Sequence, residues 1–337
     1  MPTISDMKDL HGAQIWGRTW VPDVDLSGKT VVLTGANGGI GIECAKHLVR
    51  LKVSNLILAC RNLEKGEKAK STVENTTGSK AQTNIQVWQV DLANYRSIIS
   101  FAARVRSELP RLDIFISNAG VKLWNYETAE GLERSLGINV VSTLLCAIGI
   151  LPKLRETART HNVHTTLTVV GSSYHIMGPD QQLEVPAGTN VFDALSDPET
   201  ADMKQRYQLT KLVLHQCVAE FSKCVSTLEQ SFPHRVVVNI VNPGACKTDL
   251  VMSQSAPGIE RVFVSLVGWT PEKGSRSVVY AAVAGQESHG GYISESQLKQ
   301  ESSYIRSPRG RKIQQRLWGD LVAKLETISP DLVSFIR

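Results

Sequence analysis

Six short apolar runs punctuate the chain: Thr30–Gly35 (TVVLTG), Asn55–Cys60 (NLILAC), Ile85–Val90 (IQVWQV), Leu112–Ser117 (LDIFIS), Thr166–Gly171 (TLTVVG) and Arg235–Val241 (RVVVNIV). Most are apolar almost throughout, with no polar alternation, the pattern of strands buried on both faces of a parallel sheet. Stretches with helical periodicity lie between them, at Ile42–Leu51, Tyr95–Glu108 and Thr210–Gln230. Strand and helix in alternation predict an α/β fold: a Rossmann-type, doubly wound parallel sheet with right-handed crossovers. The most apolar run, Ile138–Leu151, is interrupted by Asn139, Ser142 and Thr143. It is shorter than the roughly 18–20 residues that cross a bilayer, so it is expected to be a buried helix and not a stable membrane span.

Three segments stand outside that rhythm. Residues 1–26 form a leader carrying Trp16 and Trp20, expected to pack on the domain surface. Residues 174–206 are irregular and rich in Pro, Gly and Asp, as a lid-like insertion would be. In the C-terminal extension, 302–337, Ile313, Leu317, Leu321, Leu325 and Ile328 recur at helical spacing, which predicts one amphipathic helix docked on its own domain. The chain has 337 residues. At roughly 150 residues per domain that length allows two domains, but one large unit over 27–301 with these additions fits equally well.

Composition narrows the class. With 42% hydrophobic and 20% charged residues, 25 Gly and 13 Pro, the chain is neither disordered, collagen-like nor a small disulfide scaffold. Its formal charge of +5 is mild for this length and gives no case for nucleic acid, though it suits a small anionic cofactor. The six cysteines form no CxxC pair and no metal-ligand spacing. They read as small buried hydrophobes of a reducing, cytoplasmic compartment. The opening MPTISDMKDLHGAQ lacks the basic-then-apolar pattern of a signal peptide.

After the first strand comes Thr34-Gly35-Ala36-Asn37-Gly38-Gly39-Ile40-Gly41, then a helix. Glycines allow a tight turn and a close approach to a pyrophosphate, and the helix N-terminus supplies N–H groups. The spacing is GxxxGxG and not GxGxxG; a structural glycine turn is the competing reading. The second strand ends Ala59-Cys60-Arg61, with no acid to hold a ribose 2′-hydroxyl, whereas Arg61 is placed to pair with a 2′-phosphate. NADP(H) is therefore favoured over NAD(H). Asp91 and Leu92 follow the third strand, and Asp91 suits either the adenine edge or a helix cap.

Tyr207 and Lys211 are four residues apart and share one helix face. A proton shuttle works best near pH 7, whereas a free Tyr ionises near 10; a neighbouring ammonium favours the phenolate and closes part of that gap. Alone the pair is weak. Its company is Ser172 and Ser173 after the strand ending at Gly171, Asn118-Ala119-Gly120 after the preceding strand, and Asn139 at the start of the apolar helix. Each could be a plain turn or cap; together they fall in order at strand ends, where open α/β sheets bind ligands.

The ordered set TGANGGIG, ACR, DL, SNAG, Asn139-Val140, GSS, YQLTK and NPGACKT resembles the short-chain dehydrogenase/reductase family, over about residues 26–301. The ACRN and SSYH wording resembles the retinol-dehydrogenase-like group, and most of all fungal reductases of secondary metabolites. The resemblance implies that Tyr207 is the general acid/base, that Lys211 lowers its pKa and holds the nicotinamide ribose, and that Ser172 polarises the carbonyl. It implies that Asn139 holds a water linking Lys211 to solvent, and that Asn118, Ala119 and Gly120 flank the cofactor with the glycine turn. Asn242, Pro243, Gly244 and Thr248 would hold the nicotinamide end. A homodimer through the helices at 139–154 and 207–222 is also implied. Ser117 replaces the family's usual Asn, and 35 positions separate Ser172 from Tyr207, far more than the usual dozen or so. The expected activity is NADPH-dependent interconversion of a carbonyl and an alcohol on a lipophilic small molecule, with Tyr174, Ile176, Met177, Phe263, Leu266, Val267 and Trp269 around it. A non-redox isomerase or cyclase and a cofactor-sensing binding protein are the other readings.

Overall fold

The computed structural model describes residues 2–78, 82–232, 235–252 and 258–337. Its backbone begins with helix α1 (Ile4–Trp16), then β1 (Thr30–Thr34), α2 (Gly39–Arg50), β2 (Asn55–Cys60), α3 (Leu63–Thr77), β3 (Asn84–Gln89), α4 (Tyr95–Glu108) and β4 (Ile114–Ser117). After a π-helical turn, Gly137–Ser142, come α5 (Thr143–His161), β5 (Thr165–Val170), α6 (Arg206–Leu228) and β6 (Val236–Asn242). Helices α7 (Gly258–Val267) and α8 (Pro271–Ala282), the hairpin β7 (Tyr292–Ser294) and β8 (Gln297–Lys299), and α9 (Pro308–Ile328) complete the order.

The sheet runs β3-β2-β1-β4-β5-β6-β7-β8, parallel except for the last pair. Chain direction across the sheet reverses at β1, which pairs with β2 on one side and β4 on the other, creating a crevice beyond the strands' C-terminal ends. Side chains alternate between two helical layers. Val32, Ile57, Phe115, Leu167 and Val238 join a core with α4, α5 and α6, whereas Val31, Leu33, Leu56, Leu58 and Ile116 face α2 and α8. Both faces are covered, which is why the strand runs are continuously apolar.

The apolar run at 138–151 lies inside this double layer, and the hydrophobic window of that helix is 94% buried. The additions dock rather than hang. Leu317, Leu321 and Leu325 of α9 are fully buried in the same core, and Gln216 Nε2 of α6 donates to Gly310 O. Leu332, beyond α9, packs beside Gly149 of α5. The C-terminal extension thus covers α5 and α6 where the resemblance implies a dimer, and a second copy would reach the covered surface only by displacing it. The insertion is anchored as well: Phe192 is fully buried, Val191 N donates to Asp320 Oδ2, and Arg316 donates to the carbonyls of Val185, Pro186 and Thr189. It is a packed bracket joined to α9.

Truncating a fully buried Leu in a packed core costs about 2–5 kcal/mol. Leu321→Ala is expected to lower the free energy of unfolding in denaturant by that amount, against less than about 0.5 kcal/mol for a truncation at exposed Lys312.

Candidate active site

Strand ends bring the site together. Thr34, Arg61, Asp91, Asn118, Ser172 and Asn242 all stand at or just past the C-terminal ends of β1 to β6, on the crevice side of the sheet. At its centre Thr34 Oγ1 accepts from the N–H groups of Asn118 (3.0 Å) and Ala119 (3.1 Å). Asn118 Nδ2 donates back to the carbonyls of Thr34 and Gly35 at 3.0 and 3.2 Å. These bonds staple the glycine turn to the end of β4. A Cβ at Gly35, where φ is +64°, would lie 2.9 Å from Ala119 Cα, and one at Gly41 would lie 2.2 Å from Gly35 O. Only glycine lets α2 rise so close to the turn.

That turn fits a dinucleotide. Gly38 has open space where a Cβ would stand, and α2 begins without a side-chain cap on its first N–H groups. Thr248 lies against Gly39, its Cγ2 3.1 Å from an ideal Cβ there, so the loop after β6 closes over the glycine turn. Arg61 is exposed past the end of β2, with no carboxylate in the Ala59-Cys60-Arg61 sequence. Asp91 Oδ1 accepts from Ala93 N at 2.9 Å, which makes a local turn; the cap of α4 is Asn94, so of the two readings of Asp91 the capping one is excluded. Leu92 is buried in the core.

Tyr207 and Lys211 stand one turn apart on α6, with Lys211 Nζ 5.6 Å from the Tyr207 ring centroid. Lys211 is 6% exposed, and its Nζ donates to Val170 O at 2.9 Å. Burial pushes its ammonium down to about 8. Two residues beyond Val170, Ser172 Oγ accepts from Tyr174 N at 3.1 Å, and Tyr174 meets Tyr207 edge-on at 6.1 Å. Asn242 Oδ1 accepts from Ser173 N and Gly244 N, tying the Ser172 turn to the Pro243-Gly244 turn. Asn139 sits in the π-helical turn. Its amide takes both backbone groups of Val121 and donates to Thr210 Oγ1 at 3.2 Å, so these side-chain bonds go to the protein.

Under Ser172 lies a buried aromatic stack. His175 Nδ1 meets Ser172 O at 2.8 Å; His175 and His215 stack at 3.9 Å, with Tyr292 against both. A Cβ on Gly171 would lie 2.5 Å from His215 Nε2, so glycine there admits the stack. Burial pushes both imidazoles down to about 3; the neighbouring His215 adds to this for His175, and Lys211 for His215.

The expected apolar wall assembles only in part. Tyr174 faces Tyr207, but Leu266 is 77% exposed, and the side chain of Phe263 lies outside the described residues. Trp269 is a packing element: its Nε1 donates to Gln14 O and its ring lies over Gly244. Four functional-site residues escaped the sequence reading. Gln14 of α1 accepts from Ala245 N and donates to the carbonyls of Ala245 and Val267, so the leader braces the loop after β6. Arg206, fully buried next to Tyr207, faces Glu133 at 3.5 Å. Lys122, directly after SNAG-Val121, is buried among aromatic rings with Trp124. Position after SNAG was the one available signal for Lys122; Gln14 and Arg206 carried none.

A family model described as short chain dehydrogenase matches residues 29–174. The short chain dehydrogenase/reductase dmxR8 of Cryptosporiopsis sp. is 39% identical over 93% of this chain and 95% of its own length. The short-chain dehydrogenase anuD of Penicillium roqueforti is 34% identical over 95% of this chain and 83% of its own. The chain belongs to the short-chain dehydrogenase/reductase family. Its fold is similar to those of solved structures: NADPH-bound carbonyl reductase from chicken fatty liver superposes with a TM-score of 0.56 at 20% identity, covering 81% of this chain and 99% of that one. The RhlG/NADP complex of Pseudomonas aeruginosa gives 0.57 at 19% identity, covering 81% and 96%.

In this family member the buried His pair links stability to pH. Each imidazole is held neutral when folded, about 3 against 6.5 when free, so between those values the unfolded chain binds more protons. Stability contributed there is complete above about 6.5 and is lost as pH falls, by up to about 1.4 kcal/mol per pH unit per group. Glu301, 3.7 Å from His215 and raised by burial, works in the opposite sense. His215→Phe, which keeps a stacking ring, is expected to flatten the loss of stability between pH 6.5 and 5, as measured by denaturant midpoints across that range.

Proposed function

We propose that the protein is an NADP(H)-dependent oxidoreductase interconverting a ketone or aldehyde with its alcohol on a lipophilic small molecule of a secondary-metabolite pathway, in the cytoplasm. The observation that carries this is Lys211, buried on the carbonyl of the strand that leads into Ser172, with Tyr207 one turn away on the same helix.

The glycine turn from Gly35 through Asn37, Gly39 and Ile40 to Gly41 would hold the pyrophosphate, Arg61 the 2′-phosphate, Asp91 and Leu92 the adenine side, Asn118 to Gly120 the middle, and Pro243, Gly244 and Thr248 the nicotinamide end. Bound there, the nicotinamide supplies or accepts the hydride. Tyr207 Oη gives a proton to the substrate oxygen in reduction and takes it back in oxidation. Ser172 Oγ donates a hydrogen bond to the same oxygen as charge develops on it. The Lys211 ammonium favours the phenolate, moving Tyr207 from its ordinary value near 10 toward the working range. Asn139 secures the loop at Val121 and the first turn of α6 through Thr210, whose own Oγ1 donates to Tyr207 O. The rings of Trp124 and Tyr174, which lie 4.8 and 5.4 Å from the same Lys122 ammonium, with Tyr174 edge-on to Tyr207, support an apolar substrate.

Tyr207→Phe is expected to cut NADPH oxidation with a panel of lipophilic ketones by about 10²–10⁴-fold, with NADPH affinity by fluorescence titration unchanged. Retained turnover would remove Tyr207 from the proton step; substrate change without net NADPH oxidation would point to an isomerase or cyclase. Arg61→Ala is expected to weaken NADPH binding by roughly 10–100-fold, a charge-assisted contact of about 1.5–3 kcal/mol, and to leave NADH binding unaltered.

A further inference from the structure

Tyr207 is the second residue of α6, so it stands in a first turn whose leading N–H groups have no partner within the helix. The capping position holds Gln205, which is exposed and makes no side-chain bond to those groups. A first turn without a cap tends to fray, and this one follows directly on the irregular insertion. Two side chains hold it instead. Arg206 is fully buried, and its Nε lies 3.5 Å from Glu133 Oε2. Glu133 is fully buried too, and its carboxylate accepts from Ser135 N at 2.8 Å and Leu136 N at 3.0 Å. It thereby caps the short helix Arg134–Leu136 that leads into the π-helical turn. Glu133 N donates to Ser196 Oγ at 2.9 Å, so the insertion is tied to the same residue. The second hold is Thr210, whose Oγ1 accepts from Asn139 Nδ2 at 3.2 Å and donates to Tyr207 O at 2.8 Å. Arg206 and Thr210 flank Tyr207, and their partners come from one stretch of chain, Glu133 to Asn139.

As packing alone, this ion pair is a poor choice. Among the described residues none of the guanidinium nitrogens of Arg206 makes a hydrogen bond, and an arginine keeps its charge in any protein environment. Burial disfavours that charge; of the groups that favour it Glu133 comes first, followed by Asp202 and Tyr126. The Asp202 carboxylate is already engaged by Lys204 N and Gln205 Nε2, and Tyr126 Oη donates to Ser196 O at 2.6 Å. Two apolar side chains of similar volume would fill the space with no charge to desolvate. What they would lack is register, because an ion pair draws one group to one place, whereas methyl and methylene groups pack in several ways. Register at the start of α6 decides where Tyr207 lies relative to Ser172.

We propose that Glu133 and Arg206 are positioning residues that act through Tyr207, a buried ion pair that takes the place of the missing cap and fixes the first turn of α6 against the π-helical turn. The proposal rests on the proton-transfer role given to Tyr207 above, but the order of that turn is measurable without turnover, by hydrogen–deuterium exchange of the full chain. The double variant Glu133→Gln/Arg206→Met removes both charges and keeps both side chains near their size. In it the amides from Leu209 to Val213 are expected to exchange about tenfold faster or more, while those of Asn55–Cys60 in β2 keep their rates. Arg206→Lys keeps the charge and is expected to exchange nearly as the unaltered protein does. With NADPH and the fastest ketone of the panel, kcat of the double variant is expected to fall by about 10–100-fold with KM for NADPH unchanged. Made in a Tyr207→Phe background, the same two replacements are expected to add almost no further loss. Unchanged exchange over 209–213 in a folded double variant overturns the proposal. So does an equal rise over β2, because the pair would then serve overall stability alone. A full further loss in the Tyr207→Phe background overturns action through Tyr207. Should the double variant fail to fold, Glu133→Asp, which keeps the charge and shortens the reach, takes its place under the same outcomes. Retained turnover in Tyr207→Phe, or no reduction of any ketone, would sink the catalytic reading of Tyr207 while leaving the exchange to decide on the pair.

Discussion

An ammonium group moved out of water must be met by fixed dipoles or it loses its proton. Lys211 meets the carbonyl of Val170 at 2.9 Å, and much of the architecture serves that contact. It requires β5 to end at Val170 and α6 to run beneath it. It also requires a residue with no side chain at 171, because His215, one turn beyond Lys211, packs where a Cβ would stand. The stack of His215 on His175 then reaches Ser172 O, so the turn carrying the candidate carbonyl-polarising serine and the helix carrying Tyr207 are referred to one another through a single buried seam.

A second staple sets the cofactor side. Thr34 and Asn118 exchange hydrogen bonds between the ends of β1 and β4, where the sheet changes direction. Neither side chain needs to touch a ligand to matter, since the glycine turn is only as well placed as the strand ends that hold it. The loop after β6 is held from outside the sheet, by Gln14 of α1 and by Trp269. A segment that looks like a surface leader thus supports the wall expected to carry the nicotinamide.

The strand pattern was highly legible because both faces of the sheet are covered. The run at Asn55–Cys60 is β2 residue for residue, and the others lie within two residues of the observed ends. Elements with little apolar content were not legible. Helix α3, Leu63–Thr77, buries only Gly66, Ala69 and Val73, too sparse a stripe to read as periodic. The strand Tyr292–Ser294 has three residues and gains its identity by pairing, with β6 on one side and β8 on the other. In the site, Ser172, Tyr207 and Lys211 were readable from spacing and strand ends, whereas Lys122, Trp124, Gln14 and Arg206 were not. Their neighbours in space come from Tyr174, Tyr207, Ala245 and Glu133, distances that no local pattern encodes.

Local chemistry determined a good deal by itself. Continuous apolar runs require a two-sided sheet, glycine at 35 and 41 permits the close turn, and a Tyr and a Lys four apart must share a helix face. These follow from backbone geometry and hydration, which act over a few residues. Tertiary structure alone decided which side chains meet across the crevice. It turned the insertion into a bracket on α9, laid the C-terminal extension over α5 and α6, and set Arg206 against Glu133 next to Tyr207. Such contacts depend on where separate elements pack, and packing is settled by the whole core at once.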